Sequence, residues 1–247
     1  RFDGMGVLPP RPLSMNAYLG ARPIATLLGQ GCDVVITGRT VDSAVTLGAC
    51  MHEFGWNDDA YDALSGATLA GHIIECGAQA TGGLFTDWEL AADGWFNIGY
   101  PIATVEASGA FTITKPPETG GVLSVGAVSE QLLYEIGDPG AYHVPDVACD
   151  WTQVQIEQPE PDAVRVSNAK GQAPTDTYKV TTTYFDGFRS EMALVVQGID
   201  ADRKAYATAN ALFRRQRLML EAMGLDDDSE TNVEVLGAEH TYGANRV

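Results

Sequence analysis

A histidine and a glutamate stand three residues apart in the segment GHIIECG, where they are His72 and Glu75. If this segment is helical, the two side chains share a helix face, so the carboxylate can orient the imidazole as a general base. The pair could also supply two metal ligands, but the sequence has neither HExxH nor an HxH pair, and we predict no metal. The alternative is a buried histidine whose ring nitrogens are satisfied locally. Cys76, the next residue, is either a nucleophile or a packed core thiol.

A second pair of chemically active residues, Arg39 and Asp42, lies in ITGRTVDS directly after an apolar run. Loops at the carboxyl ends of strands bind ligands in open α/β sheets. The planar guanidinium of Arg39 suits a carboxylate or phosphate, and Asp42 joins His72 and Glu75 as an acid/base candidate. In the alternative reading, Asp42 caps the next helix and Arg39 pairs with it or with another acid. The glycines do not form GxGxxG, so no dinucleotide site is predicted.

The segment KPPETGG is the third candidate, and it supplies Lys115, Thr119, Gly120 and Gly121 as binding residues. Prolines fix the entry to the segment, and paired glycines allow backbone N–H groups to turn toward an anion at a helix start. A lysine beside such a turn suits a phosphate or a carboxylate. The segment lacks the GK[ST] ending of a P-loop, so nucleotide hydrolysis is not predicted. The alternative is a plain turn between a strand and a helix.

The charge balance narrows the ligands and partners. The chain has 15 Lys and Arg against 33 Asp and Glu, a formal net charge of −18. No basic patch is large enough to neutralise several phosphates, so we expect neither nucleic acid nor a membrane surface as a partner. An anionic ligand therefore needs a locally positive site. The basic cluster of Arg214, Arg215 and Arg217 is typical of a solvated helix face.

The apolar runs and the cysteines indicate the compartment. No run reaches the roughly 18 to 20 residues of a membrane span, and no signal segment opens the chain. The four cysteines are widely spaced without a CxxC motif, which favours reduced thiols in a cytoplasmic protein.

Hydrophobic periodicity predicts the elements that hold these residues. A helix is predicted over residues 16–28, a buried strand at CDVVITG, and further helices after residue 40 and around His72. The run VVITG has no polar face, so we predict an interior strand of a doubly wound, mostly parallel α/β sheet with helices on both faces.

The second half of the chain has a different pattern. Two strands around a Ser-Gly turn are predicted in PIATVEASGAFTITKPP, and a helix in VLSVGAVSEQLLYEIGD. Beyond these segments the sequence predicts a hairpin closed at Asp186 and Gly187, a long helix from Asp202 to Met223 and a last strand in NVEVLGA. We therefore predict an α/β domain over residues 1–147 and a smaller α+β domain over 148–247.

Several segments occur in an order that resembles the AtuA-type acyclic terpene utilisation family. The resemblance is collinear over residues 14–145. It is carried by NAYLGARPIATLLGQGCDVVITGRTVDSAVTLG, HEFGW, GHIIECGAQATGG, KPPETGG and EQLLYEIGDPGAY. Members usually carry an α/β segment before the position of Asn16, and the opening RFDGMGVLPPRP reads like a loop entered midway. We therefore expect a fragment that lacks its N-terminal part, with a truncated ferredoxin-like domain at its end.

The resemblance implies a role in the degradation of citronellol- or geraniol-type terpenes as CoA thioesters. The implied activity is a carbon–carbon lyase that cleaves a branched 3-hydroxyglutaryl-CoA into acetate and an acyl-CoA. The alternative is a non-catalytic subunit that binds an acyl-CoA or a carboxylase partner. We expect an acyl-CoA ligand, no cofactor besides the CoA of the substrate, and a homo-oligomer.

Overall fold

The computed structural model describes residues 11–238 and 240–245. These residues form two compact units, the first ending at Asp186 and the second beginning at Gly187. The α-helices are α1 (Arg22–Gly29), α2 (Ala44–Phe54), α3 (Tyr61–Glu75), α4 (Val125–Leu133) and α5 (Ala201–Ala222). The strands are β1 (Pro12–Ala17), β2 (Ile102–Val105), β3 (Phe111–Thr114), β4 (Tyr142–Val144), β5 (Val147–Asp150), β6 (Gln155–Glu160), β7 (Ala163–Ser167), β8 (Lys170–Gln172) and β9 (Val180–Tyr184).

The described strands form three small sheets, all within the first unit. Their orders are β1-β9, β2-β3-β7-β6 and β4-β5-β8. Every strand pair in these sheets is antiparallel. The predicted strand pair around a Ser-Gly turn is confirmed as β2 and β3, which pair from Ile102 opposite Thr114 to Val105 opposite Phe111.

Helix α3 lies at the centre of the first unit, with every residue from Leu64 to Ile73 buried. The helix can be buried all round because its glycines and alanines allow close approach of other backbones. A Cβ at Gly66 would overlap the carbonyl oxygen of Gly109, and one at Gly71 would lie 2.9 Å from the Cα of Ser43. The small residues of this sequence therefore bring the start of α2 and the β2–β3 turn onto α3.

The first helix begins later than the sequence pattern predicts. Residues 12–17 form β1, and α1 begins at Arg22 with Pro23 in its first turn. Proline fixes φ and lacks an N–H donor, so it favours a helix start at this point. The carboxylate of Asp146 accepts hydrogen bonds from the backbone N–H groups of Ala21 (2.8 Å) and Arg22 (3.3 Å). A distant side chain therefore caps a helix that has no cap of its own.

The predicted doubly wound, mostly parallel sheet is wrong, although the chain does mix helices and strands. The run VVITG forms no strand in the described structure, and Val34 and Ile36 are 77% and 90% exposed. The only parallel contact beside it is an isolated bridge between Leu19 and Thr40. An apolar run favours burial, but it does not show whether other strands lie beside it to form a sheet. Periodicity alone therefore could not distinguish a buried strand from the exposed segment that is observed.

The predicted boundary between residues 147 and 148 falls inside β5. Strand β3 precedes the predicted boundary and β7 follows it, and the two strands pair with each other. One sheet therefore contains strands from both predicted domains. The contacts divide the chain instead between Asp186 and Gly187.

The second unit contains the predicted long helix, confirmed as α5, but no strand among its described residues. Neither the hairpin at Asp186 and Gly187 nor the strand in NVEVLGA forms there. The hydroxyl of Tyr206 on α5 lies 3.2 Å from Nδ1 of His240 in a short 3-10 helix, His240–Asn245. This contact joins the helix to the last described residues.

The close packing at Gly66 predicts the result of adding one methyl group. The variant Gly66→Ala should lower the free energy of unfolding by about 1 to 3 kcal/mol, although alanine is the better helix former. The matched variant Gly29→Ala, where a Cβ would meet its nearest atom at 3.8 Å, should be neutral or slightly stabilising. Urea titrations followed by tryptophan fluorescence measure this, because Trp56, Trp88, Trp95 and Trp151 all lie in the first unit. Equal midpoints for the two variants would contradict the packing argument.

Candidate functional site

The imidazole of His72 lies in an aromatic environment at the end of α3. The side chain is buried, with 7% of the residue exposed. Its ring stacks on Trp151, with ring centroids 5.7 Å apart and an angle of 28° between the planes. Tyr142 lies 6.0 Å from the imidazole and 4.7 Å from the Trp151 ring. The three rings therefore form one contact group, which we call the His72 cluster.

A short hairpin holds the two aromatic residues in place. Tyr142 begins β4 and pairs with Cys149 of β5, and Trp151 follows directly after β5. The indole N–H of Trp151 donates to Oγ of Ser65 on α3 at 3.1 Å, and its backbone N–H donates to the Pro139 carbonyl at 2.8 Å. Trp151 is thus fixed at both its ring and its backbone, which orients the face that contacts His72.

Three buried polar atoms near the end of α3 lack a hydrogen-bond partner among the described residues. They are Nε2 of His72, Oε1 of Gln131 and Oγ of Ser43. Gln131 lies beside His72, because its Nε2 donates to the His72 carbonyl at 3.4 Å, and Ser43 packs against Gly71. A buried polar atom without a partner costs about 1 to 3 kcal/mol. A polar ligand that contacts these atoms would recover that free energy.

Burial sets the protonation state of the imidazole. Removal from water lowers the pKa of His72 below its usual 6.5, while the negative charge of Glu75, hydrogen bonding to the backbone at Gln131 and Leu132, and then Glu135 act in the opposite direction. Desolvation is the largest of these effects and determines the net direction. The imidazole is therefore neutral at neutral pH and has a lone pair, as a general base requires.

The ring of Tyr142 contacts His72, and its pKa also responds to the charges of Asp42 and Glu75. Burial raises the pKa of Tyr142 to about 12, and smaller contributions come from the charges of Cys149, Asp42, Glu75 and Glu135. Asp42 and Glu75 are exposed, whereas His72 is buried beside the same tyrosine. The N-cap residue of α2 is Ser43, and no side-chain hydrogen bond caps this helix. The alternative in which Asp42 caps α2 therefore has no support in the contacts.

The thiol of Cys76 does not have the environment of a nucleophile. Its Sγ donates to Oε1 of Glu75 at 2.8 Å. Burial, this hydrogen bond and the charges of Glu75 and Glu135 raise the pKa of Cys76 to about 11, with burial the largest cause. The thiolate is the reactive form, so a raised pKa makes the residue inert at neutral pH.

The observed contacts of Arg39 do not include any residue of the His72 cluster. Its guanidinium is over the ring of Tyr18, 4.8 Å from the centroid, and forms no ion pair with Asp42 or with any other described acid. The Thr40 bridge to Leu19 brings Arg39 to this position. The alternative in which Arg39 pairs with Asp42 is therefore not observed.

The segment KPPETGG turns back on itself. Nζ of Lys115 donates to the Thr119 carbonyl at 2.8 Å and lies 3.2 Å from the carboxylate of Asp162, and its side chain is only 7% exposed. The N–H of Gly120 donates to the Asn97 carbonyl, and a Cβ at Gly121 would crowd the carbonyl of Thr81. These contacts favour the alternative reading of a structural turn. The next helix, α4, begins at Val125 behind its own Ser124 cap.

A cleft of about 200 Å³ opens beside Gln131. It is bounded by α4 and by the segment that follows α3, and its lining is Gln79, Leu84, Phe85, Ala127, Glu130, Gln131 and Tyr134. Gln131 belongs both to this cleft and to the surroundings of His72. The cleft therefore shares one residue with the surroundings of His72, although His72 does not itself line it.

Residues 11–238 and 240–245 contain neither a metal-binding cluster nor a membrane-spanning helix. No group of three or more His, Cys, Asp or Glu side chains there is placed to hold a metal ion. None of the helices there is both long enough and apolar enough to cross a membrane.

Comparison with known proteins gives one match. The model of the family described as acyclic terpene utilisation family protein AtuA matches residues 5–246. The chain belongs to the AtuA family. Membership associates the chain with acyclic terpene utilisation and confirms the resemblance read from the sequence. No curated protein and no solved structure matches the chain.

Sequence reasoning missed the residues that give His72 its environment in this AtuA-family chain. None of the four residues Tyr142, Trp151, Gln131 and Ser43 belongs to a motif that marks it as part of a site. One sequence feature could have identified the aromatic residues: Tyr142 and Trp151 stand on either side of the short HVPDVACD segment. A hairpin there places both rings on the same side, next to whichever helix it packs against.

The lowered pKa of His72 predicts how stability changes with pH. Between the folded pKa and the unfolded value near 6.5, the unfolded chain binds the proton more readily, so stability rises with pH in this window. Wild type should therefore lose stability relative to His72→Gln as the pH falls from about 7.5 to 5. Urea midpoints for both proteins across this range measure the effect. His52→Gln, which removes an exposed histidine of α2, should retain the wild-type dependence. Identical profiles for wild type and His72→Gln would contradict the assignment.

Proposed function

We propose that this AtuA-family chain carries the acid/base site of a carbon–carbon lyase that acts on a branched 3-hydroxyglutaryl-CoA. The observation that supports this most is the neutral, buried imidazole of His72, whose Nε2 has no partner among the described residues. The charges of Asp42 and Glu75 contribute to the raised pKa of Tyr142, whose ring contacts His72. Such convergence of titratable groups from separate elements is what an acid/base site needs.

The reaction needs one base and a place for negative charge. His72 takes the proton of the tertiary hydroxyl, and the oxygen becomes a ketone as the bond from its carbon to the carboxymethyl group breaks. The electron pair of that bond passes to the carboxymethyl carbon, which takes the proton from the His72 imidazolium to give acetate and return His72 to its neutral form. The other product is the 3-oxoacyl-CoA, so atoms and charge balance without water or an oxidant.

Each neighbour of His72 has a role in this scheme. Glu75 stabilises the imidazolium that forms when His72 accepts the proton, since its charge already favours the protonated ring. Tyr142 keeps its phenolic proton, because its pKa is about 12, and can donate to an oxygen that gains charge. Gln131 and Ser43 offer buried polar atoms to the hydroxyl or the thioester carbonyl.

One observation favours the rival role of a non-catalytic subunit that binds an acyl-CoA or a carboxylase partner. His72 is almost fully buried and packs against two aromatic rings, as a structural histidine would. Binding without turnover would then be the whole activity of this chain.

Acetate formation separates the two roles. The protein is incubated with 3-hydroxy-3-methylglutaryl-CoA and with longer branched analogues, and acetate is measured by mass spectrometry. We expect acetate from wild type, a loss of about 10²-fold or more in His72→Gln, and wild-type turnover in His52→Gln. Thioester binding without acetate would favour the binding subunit. Equal rates in wild type and His72→Gln would exclude His72 as the base.

A further inference from the structure

Two cations share one aromatic ring in the first unit. The guanidinium carbon of Arg39 lies 4.8 Å from the centroid of Tyr18, and the ammonium nitrogen of Lys179 lies 5.0 Å from it. Both distances are within the range of a cation–π interaction. The hydroxyl of Thr181 donates to the Tyr18 hydroxyl at 3.1 Å and holds the far end of the ring.

Backbone hydrogen bonds on both sides of Tyr18 create this arrangement. The N–H of Tyr18 donates to the Lys179 carbonyl at 2.9 Å, which continues the β1–β9 pairing. The N–H of Leu19 donates to the Arg39 carbonyl at 3.0 Å, next to the parallel bridge with Thr40. Residues far apart in sequence are thus held at one tyrosine by the main chain.

These two cations differ from the other Lys and Arg residues between residues 12 and 186, although Arg11, which precedes that range, also forms no ion pair with a described acid. Between residues 12 and 186, every other Lys or Arg pairs with a carboxylate: Arg22 with Asp58, Lys115 with Asp162, Arg165 with Glu106 and Lys170 with Asp62. Arg39 and Lys179 form no such pair there. In a chain of net charge −18, two neighbouring cations without an acidic partner are the positive site that an anionic ligand requires.

We propose that Arg39 and Lys179, mounted on Tyr18, bind an oxyanion of the ligand. The guanidinium can hold a carboxylate or phosphate through two parallel N–H groups, and the ammonium adds a second charge-assisted contact. The identity of the ligand as an acyl-CoA rests on the proposed function, but the anion site itself does not. The oxyanion is either the free carboxylate of the glutaryl chain or a phosphate of CoA.

Arg39 lies in the same segment between α1 and α2 as Asp42, one of the proposed acid/base residues. Arg39 precedes Asp42 by three residues, which span at most about 11 Å when fully extended. Asp42 in turn acts on Tyr142 through its charge. A carboxylate held at Arg39 would also be the group next to which negative charge develops when acetate leaves, so the two cations would stabilise the transition state.

Calorimetric titration tests the site without relying on turnover. The probes are 3-hydroxy-3-methylglutarate, which has carboxylates but no phosphate, and CoA, which has phosphates but no carboxylate. We expect Arg39→Gln and Lys179→Gln each to weaken binding of one probe about tenfold, as expected for the loss of one charge-assisted contact. Lys204→Gln, which makes the same change in net charge in the second unit, should bind like wild type.

The ring of Tyr18 supplies a second, independent comparison. Tyr18→Phe keeps the aromatic face and should retain most of the affinity, whereas Tyr18→Leu removes it and should weaken binding. Melting temperatures of all variants show whether the fold is intact. A variant that has the wild-type melting temperature but a lower affinity for the probe supports the site. The site is also supported if Tyr18→Leu loses affinity and Tyr18→Phe keeps it.

The probe that responds identifies the oxyanion. Sensitivity with 3-hydroxy-3-methylglutarate assigns the site to the substrate carboxylate, and sensitivity with CoA alone assigns it to phosphate. Wild-type affinity for both probes in Arg39→Gln and Lys179→Gln, or no binding of either probe by wild type, would overturn the proposal. Acetate release that needs His72 but has an unchanged KM in both variants would leave the lyase standing without this site. If Arg39→Gln and Lys179→Gln weaken probe binding but wild type releases no acetate, the anion site would stand without the lyase.

Discussion

The stacking of His72 on Trp151 is the contact on which the proposed acid/base site depends. An imidazole in water is partly protonated near neutral pH, and its affinity for protons changes only when its surroundings change. Here the indole, the phenol of Tyr142 and the buried length of α3 remove water from the ring. The resulting penalty on the charged form is larger than the opposing effect of Glu75 and Glu135. Burial therefore keeps the imidazole neutral, while the charges of Glu75 and Glu135 act in the opposite direction.

This contact depends in turn on residues with little or no side chain. Gly66 and Gly71 allow the β2–β3 turn and the start of α2 to approach α3, which brings Ser43 and Asp42 toward the end of the helix that carries His72. The hydrogen bond from Trp151 to Ser65 fixes the hairpin to the same helix. Packing and chemistry thus meet in α3, so a change in its small residues would also move the groups that surround the imidazole.

The sequence predicts those helices and strands that have local signals. It does not predict structure that depends on contacts between residues far apart in the chain. Helices α2, α4 and α5 and the β2–β3 pair follow from periodicity and turn residues. The choice of His72, Glu75 and Asp42 as acid/base candidates rests on residue type and spacing, and it stays a prediction. The exposed run at Val34 was predicted as a buried strand, because apolar character does not reveal whether a neighbouring strand is present. The cap of α1 by Asp146 and the meeting of Arg39 with Lys179 at Tyr18 join residues more than 100 apart. No local pattern encodes such contacts.

The protonation of His72 can be measured directly by NMR titration of the protein labelled with isotope in its histidines. The chain has 4 histidines, and the spectrum of His72→Gln assigns the signal of interest. The account predicts a midpoint for His72 clearly below 6.5, which moves when an acyl-CoA or its dicarboxylate fragment binds. A midpoint at or above 6.5 would mean that the carboxylates prevail over burial, and the neutral base at the centre of this account would be contradicted.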